Sequence, residues 1–381
     1  MARRILIGLL VAVVVVVGGA YAGTALLGVV PPHTLLRIQT TEPSRWGDLF
    51  PARTVEAAPG DRTAPAAAPP AGEVPWKGRT VPVREFLTST DTVAFVVVRD
   101  GQVTQEWYAD DVDPGTRLSS WSVAKSFVSL LVGQAIGRGE LAEDDRLVEL
   151  LPELEAGTAY DEVTVRDLLD MTAGIDVPED YNAYWPFTGT ARMYITRDLP
   201  EFVADHREVD SRPGTEGVYR SVDTELLGLI LEQVTGRHLA DLLETDLWQP
   251  IGAAADATWS LDREDGREKA FCCINATARD YARIGQLVLD GGRVGDRQVV
   301  PQEWITRIST PAPLPVDDWG YAAQWWHPTG GDGSDLSAIG IYGQYIYVSP
   351  RTGTVVVKLS DYGTEQDEQE TIDAFRAIAE G

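Results

Sequence analysis

Strand-like sequence occurs in two widely separated parts of this 381-residue chain, and helical sequence fills the distance between them. Thr92 to Val98 is a β-branched run, Arg99-Asp100-Gly101-Gln102 turns it, and Val103 to Tyr108 returns, the pattern of a hairpin closed by an Asp-Gly turn. The next such runs are Tyr321 to Trp326, Gly340 to Val348 and, after a Pro350-Arg351-Thr352-Gly353 turn, Val355 to Ser360, with a last helix from about Glu368. Between them helical signals follow one another: a capped start at Thr164, a helix from Thr224 to a stop at Gly236, another over Leu239 to Leu247, and an amphipathic one through Leu289. A single sheet assembled from both ends accommodates this order. The sequence therefore predicts an α/β fold, an antiparallel sheet flanked by helices with an inserted helical subdomain.

The hairpin leads directly into Ser119-Ser120-Trp121-Ser122-Val123-Ala124-Lys125-Ser126-Phe127. Phe127, Leu130, Leu131, Gln134 and Ala135 continue at helical spacing, and Gly137 and Gly139 close the helix. Ser122 and Lys125 then share one helix face. A serine in the first turn lies at the positive end of the helix dipole, and a lysine with a lowered pKa can take its proton. Only four lysines occur (Lys77, Lys125, Lys269, Lys358), and arginine could not replace one as a base because it keeps its proton. A solvated helix face would show the same Ser-x-x-Lys spacing, so the pair needs partners from elsewhere in the chain.

Residues Ile5 to Val30 carry no charged side chain and follow Arg3 and Arg4. These 26 residues exceed the ~20 needed to cross a bilayer, and the arginines place the N-terminus inside. The segment reads as a retained transmembrane anchor; the alternative is a signal peptide cleaved after Ala20-Tyr21-Ala22. Either reading puts the body outside the cytoplasm, membrane-anchored in the first case and secreted in the second. Pro31 to Pro75 is rich in Pro and Ala, notably Ala64 to Ala71, and reads as a spacer. The expected organisation is thus 1–30 anchor or signal, 31–75 linker and 76–381 globular domain.

The formal charge of −26 leaves no basic patch for nucleic acid. Four scattered histidines and no zinc-type spacing give no reason to expect a metal. Cys272 and Cys273 are adjacent; two small buried hydrophobes is the simpler expectation, and a vicinal disulfide the other. Asn275-Ala276-Thr277 is a glycosylation sequon that reads more simply as a helix start.

A serine nucleophile needs a proton route to the leaving group and an oxyanion hole. Tyr219, followed by Arg220-Ser221, can share a proton with Lys125, and Ser221 adds a hydroxyl from the same loop. The glycine-punctuated Ala338-Ile339-Gly340-Ile341-Tyr342-Gly343-Gln344 can supply an N–H donor beside that of Ser122. Together and in this order, Trp121-Ser122-Val123-Ala124-Lys125-Ser126, Tyr219-Arg220-Ser221 and Ala338-Ile339-Gly340 resemble the Ser-x-x-Lys, Tyr-x-Asn/Ser and Lys-Thr-Gly motifs of the serine β-lactamase-related family, which includes penicillin-binding proteins. Within it the chain looks most similar to 6-aminohexanoate-dimer hydrolase-like and carboxylesterase members, from roughly Val83 to the C-terminus.

The resemblance implies a β-lactamase/transpeptidase-like fold and hydrolysis of a small amide or ester through an acyl-enzyme on Ser122, without cofactor or metal. Lys125 and Tyr219 would be the general base and acid, and Ser122 and Ile341 the oxyanion donors. Tyr181, Ser221, Gly340 and Trp185 would contact substrate. A slowly acylated or non-catalytic sensor or cell-wall-binding module is the alternative. Ala338 stands where the family has a lysine, so the cation that engages a penicillin carboxylate is missing. No acidic residue among Gly189, Thr190 and Ala191 matches the one that receives the amino end of nylon-type oligomers, and the aromatics Tyr181, Tyr184, Trp185, Phe187 and Tyr194 suit a neutral or apolar acyl group or plain core packing.

Overall fold

The computed structural model describes residues 2–60, 67–181, 185–364 and 366–381. Tyr184 of the aromatic stretch and Ala64 to Ala66 of the spacer lie outside them. The uncharged N-terminal run is one helix, α1 (Ala2–Leu26), long and apolar enough to cross a membrane and not packed against the body. A short helix, α2 (Pro32–Ile38), follows.

Seven strands form the main sheet: β1 (Thr92–Arg99), β2 (Gln102–Tyr108), β3 (Gly320–Ala322), β4 (Trp325–His327), β5 (Leu336–Gly340), β6 (Gln344–Ser349) and β7 (Thr354–Ser360). They lie in the order β3-β4-β5-β6-β7-β1-β2, and every neighbouring pair is antiparallel. The β1–β2 turn is Asp100-Gly101 with both residues at positive φ, the twist-matched turn that the sequence signalled. Both faces are covered, as the alternation along β1 requires. Ala94, Val96 and Val98 enter the larger core with α3 (Val123–Gly137), whereas Phe95 and Val97 enter a smaller one with Phe86 and with Phe375 of the C-terminal helix Glu368–Glu380. α3 is buried from Val123 to Ala135, as a helix that is apolar all round must be.

The inserted helical part holds α4 (Gly189–Ile195) and α5 (Ser221–Thr235), the latter ending on Gly236 in the left-handed region. A second, four-stranded sheet joins Ala52–Val55, Ala257–Ser260, Ile274–Ala276 and Leu118–Ser119, in that order. Its last strand delivers the chain to Ser122.

Two expectations are corrected. The spacer reading fails for much of 31–75: α2, a 3₁₀ helix over Pro43–Leu49 and the edge strand Ala52–Val55 are folded onto the body, with Ile38, Trp46, Leu49, Phe50 and Val55 buried in the main core. These apolar residues are spaced irregularly among prolines, so no helical or strand period announces them. The two C-terminal runs read as Tyr321–Trp326 and Gly340–Val348 are each broken by a turn, because Ala323-Gln324 and Tyr342-Gly343 adopt positive φ. The sequon resolves as a helix start: Thr277 caps Ala278–Leu289, while the buried Asn275 amide is bonded to Thr258, Ser260 and Cys273.

Candidate active site

Ser122 is the N-cap of α3, at the positive end of the helix dipole. The residue before it, Trp121, is held at φ 48°, a conformation that a bulky residue adopts only when its neighbours fix it. They do so here: the indole stacks on Tyr194 at 5.4 Å and meets Tyr342 at 4.8 Å and Trp46 at 5.1 Å. Trp46 comes from the folded part of the supposed spacer, so that segment helps shape the turn that carries Ser122.

Lys125 is fully buried, and its Nζ contacts three oxygens: Ser122 Oγ at 3.0 Å, Ser221 Oγ at 3.0 Å and the Phe271 carbonyl at 2.8 Å. Burial lowers its pKa to about 8, against the opposing pull of Glu179, Glu225 and Asp223. The network fixes which way the neutral amine points. The Phe271 carbonyl can only accept, and the Ser221 hydroxyl gives its proton to the Glu179 carboxylate at 2.6 Å, so both remaining N–H bonds of Lys125 are committed. The lone pair is left facing the Ser122 hydroxyl.

Tyr219 stands over the same amine, its ring centroid 5.1 Å from Lys125 Nζ and its phenol in hydrogen-bonding contact with Ser122. Trp326 stacks on the ring at 5.4 Å, and burial pushes the phenol well above its usual range. It is therefore a neutral donor throughout the range in which Lys125 titrates. Gly340, at the end of β5, packs against the Ser122 turn: a Cβ there would lie 2.8 Å from the Ser120 carbonyl and 3.0 Å from the Ser122 nitrogen. Ile341 follows at once, which brings the strand end carrying its N–H to the Ser122 turn.

A cavity of about 380 Å³ opens beside Ser122. Tyr181 and Ser221 line it together with Leu35, Leu36, Ile38, Trp46, Phe187, Ala191, Tyr194 and Tyr342. Trp185 does not: it is 62 % exposed and packs edge-on to Phe187, leaving Pro186 and Phe187 to form the wall. Its placement in the site is corrected accordingly. The adjacent cysteines are bonded to each other, contrary to the simpler expectation, and Cys272 lines the cavity while Cys273 takes φ 75°.

Glu179 was missed by sequence reasoning. Its carboxylate accepts from the Ser221 N–H at 2.8 Å, the Ser221 hydroxyl, the Thr190 hydroxyl at 2.8 Å and the Tyr181 phenol. It sits in an irregular loop with no motif around it; its two-residue spacing from Tyr181 is the only local signal. The one His/carboxylate cluster among the described residues, Glu232, His238 and Glu268, has its carboxylates engaged by Arg267 and Arg53.

Comparison with known proteins gives the same assignment as the motifs. The Beta-lactamase family model matches residues 83–380. The 6-aminohexanoate-dimer hydrolase of Paenarthrobacter ureafaciens is 34% identical over 302 residues, covering 74% of this chain and 75% of that protein. Among solved structures, one from Bacillus anthracis provisionally assigned as a 6-aminohexanoate-dimer hydrolase superposes with a TM-score of 0.78 at 24% identity, covering 91% of this chain and 94% of the other. A class C beta-lactamase shares the fold with a TM-score of 0.61 at 16% identity over 78% of this chain and 93% of its own. With the family model spanning most of its length and Ser122, Lys125 and Tyr219 gathered in one place, the chain belongs to the beta-lactamase family of serine hydrolases.

Proposed function

We propose that this protein hydrolyses an uncharged ester or amide through an acyl-enzyme on Ser122, in a domain held outside the cytoplasm by α1. Ser122 Oγ attacks the carbonyl carbon and its proton passes to Lys125. The tetrahedral oxyanion accepts hydrogen bonds from the Ser122 and Ile341 N–H groups, an interaction typically worth ~3–4 kcal/mol per donor in the transition state. As the bond to the leaving alcohol or amine breaks, Tyr219 supplies a proton to the leaving group and recovers one from Lys125. Water then attacks the acyl carbon and gives its proton to the same pair, which returns it to Ser122 Oγ as the acyl–Oγ bond breaks and the acid leaves.

The observation that carries this reading is the lone-pair direction of Lys125, set by Phe271, Ser221 and Glu179. The cavity supports the substrate class. Among the described residues lining it none is Lys, Arg, Asp or Glu, a wall without a direct partner for a substrate's charged ends. The relative's named substrate, an aminohexanoate dimer, has such ends, and a penicillin has a carboxylate. Neither fits this wall as well as a neutral acyl group. α1 supports the location, by its length and composition.

The test is the mass of the Ser122 peptide during turnover of p-nitrophenyl butyrate. Transient butyrylation of Ser122 with continuing release of p-nitrophenol is expected. Acylation without turnover would instead identify a slowly acylated sensor, and neither event would contradict both readings.

A further inference from the structure

We propose that the cavity is loaded from the bilayer that holds α1, and that its substrate is a membrane-soluble amphiphile whose hydrocarbon chain occupies the cavity while its ester or amide carbonyl sits at Ser122. The proposal deepens the hydrolase reading above and rests on it. Two independent features carry it.

The first is how the cavity is tied to α1. Only residues 27–31 separate the end of α1 from the start of α2, whose Leu35, Leu36 and Ile38 form part of the cavity wall. Four of these five residues are fastened to α4, the helix that forms another part of that wall, and to the two residues after it: Val30 N–H bonds to the Ile195 carbonyl at 2.9 Å, Arg197 N–H to the Gly28 carbonyl at 2.9 Å, and the Arg192 guanidinium to the Leu27 carbonyl at 2.7 Å. Val29 and Thr196 form a β-bridge between them. A membrane helix on a free tether could present any side of the body to the bilayer. One clamped to the wall of the cavity holds that wall at the membrane surface.

The second feature is where apolar side chains remain exposed. Leu26 and Leu27 at the foot of α1 are 89% and 56% exposed, and Leu36, which lines the cavity, is 69% exposed. Trp185, against the lining Phe187, is also open. Leucine and tryptophan exposed beside a membrane helix suit the headgroup boundary, where an apolar body and a polar edge are both satisfied. The cavity volume of about 380 Å³ lies within the ~300–1,000 Å³ of small-molecule sites, and its uncharged wall matches an alkyl chain. Tyr219 and Trp326 are not among the residues lining it, which leaves the phenol that would serve the leaving group outside the cavity wall.

The experiment uses the full-length protein in phosphatidylcholine vesicles with p-nitrophenyl acetate, butyrate, octanoate and palmitate. From acetate to octanoate kcat/KM is expected to rise by roughly two- to fourfold per methylene. Leu36→Asp is expected to lower the octanoate-to-acetate ratio by about fivefold or more. Palmitate should be hydrolysed when it shares vesicles with the protein and about tenfold more slowly when supplied in separate, protein-free vesicles. Acetate turned over as well as octanoate, or equal palmitate rates from shared and separate vesicles, would overturn the proposal while leaving Ser122 chemistry intact. Failure of every ester, together with no fluorophosphonate labelling of Ser122, would overturn the hydrolase reading and the proposal with it.

Discussion

The proposed chemistry depends on how one buried amine spends its hydrogen bonds. Glu179 touches neither Ser122 nor the Lys125 amine among the described contacts, yet by accepting from the Ser221 hydroxyl it decides that Ser221 accepts from Lys125. It is a positioning residue with a readable electrostatic signature, since its charge also holds the Lys125 pKa up. Glu179→Gln should therefore do two things. Acylation should slow by about 10- to 100-fold, the scale of a lost hydrogen bond to a charged group. The pH midpoint of acylation, expected near 8 for the wild type, should also fall, because the neutral base form is then favoured. A purely structural role would slow the reaction and leave the midpoint unmoved; rate against pH for both proteins decides.

At the scale of elements, the site is a meeting of two ends: the N-terminus of α3 and the open end of β5. Gly340 lets them meet, since any Cβ there collides with the Ser120 carbonyl and crowds the Ser122 nitrogen. Gly340→Ala should push β5 away and loosen the oxyanion site. A loss of about 100- to 1,000-fold in kcat, with far-ultraviolet circular dichroism unchanged, is the expected result. The elements that meet were legible in the sequence wherever local chemistry dictates them: the Asp-Gly hairpin, the Ser122 helix, the Thr164 capping box and the Gly236 stop all stand as read. The Ser-x-x-Lys, Tyr-x-Ser and glycine-strand segments were singled out together, by the resemblance of their order to the family motifs, since Tyr-x-Ser alone carries almost no signal. What stayed hidden depends on distant packing. Trp46 looks like a linker residue until a core forms around it, Leu36 until the cavity forms beside it, and Glu179 becomes part of the site only when its loop folds over α5. Trp185 erred the other way, an aromatic in the right stretch whose ring turns outward.

The whole molecule buries three of its four lysines, and burial lowers their pKa values to about 8 for Lys125, about 7 for Lys269 and about 7 for Lys358. Lys358 bonds to Ser360 at 2.6 Å and lies outside the cavity, so its cost is one of stability alone. Its folded pKa lies below the unfolded value of 10.5, so the penalty is complete below pH 7 and is relieved as pH rises toward 10.5. Lys358→Met should stabilise the fold by a few kcal/mol at pH 7, and urea midpoints should show that advantage shrinking at pH 9. Of the three, Lys125 alone contacts the Ser122 hydroxyl. The most direct measurement is accordingly the rate of fluorophosphonate labelling of the full-length protein as a function of pH, for wild type, Ser122→Ala, Lys125→Ala and Lys358→Met. An activated Ser122 requires labelling that rises through a single midpoint near pH 8, persists in Lys358→Met, and is abolished in Ser122→Ala and Lys125→Ala. Labelling that survives the loss of Lys125, or that ignores pH across this range, would contradict Lys125 as the base.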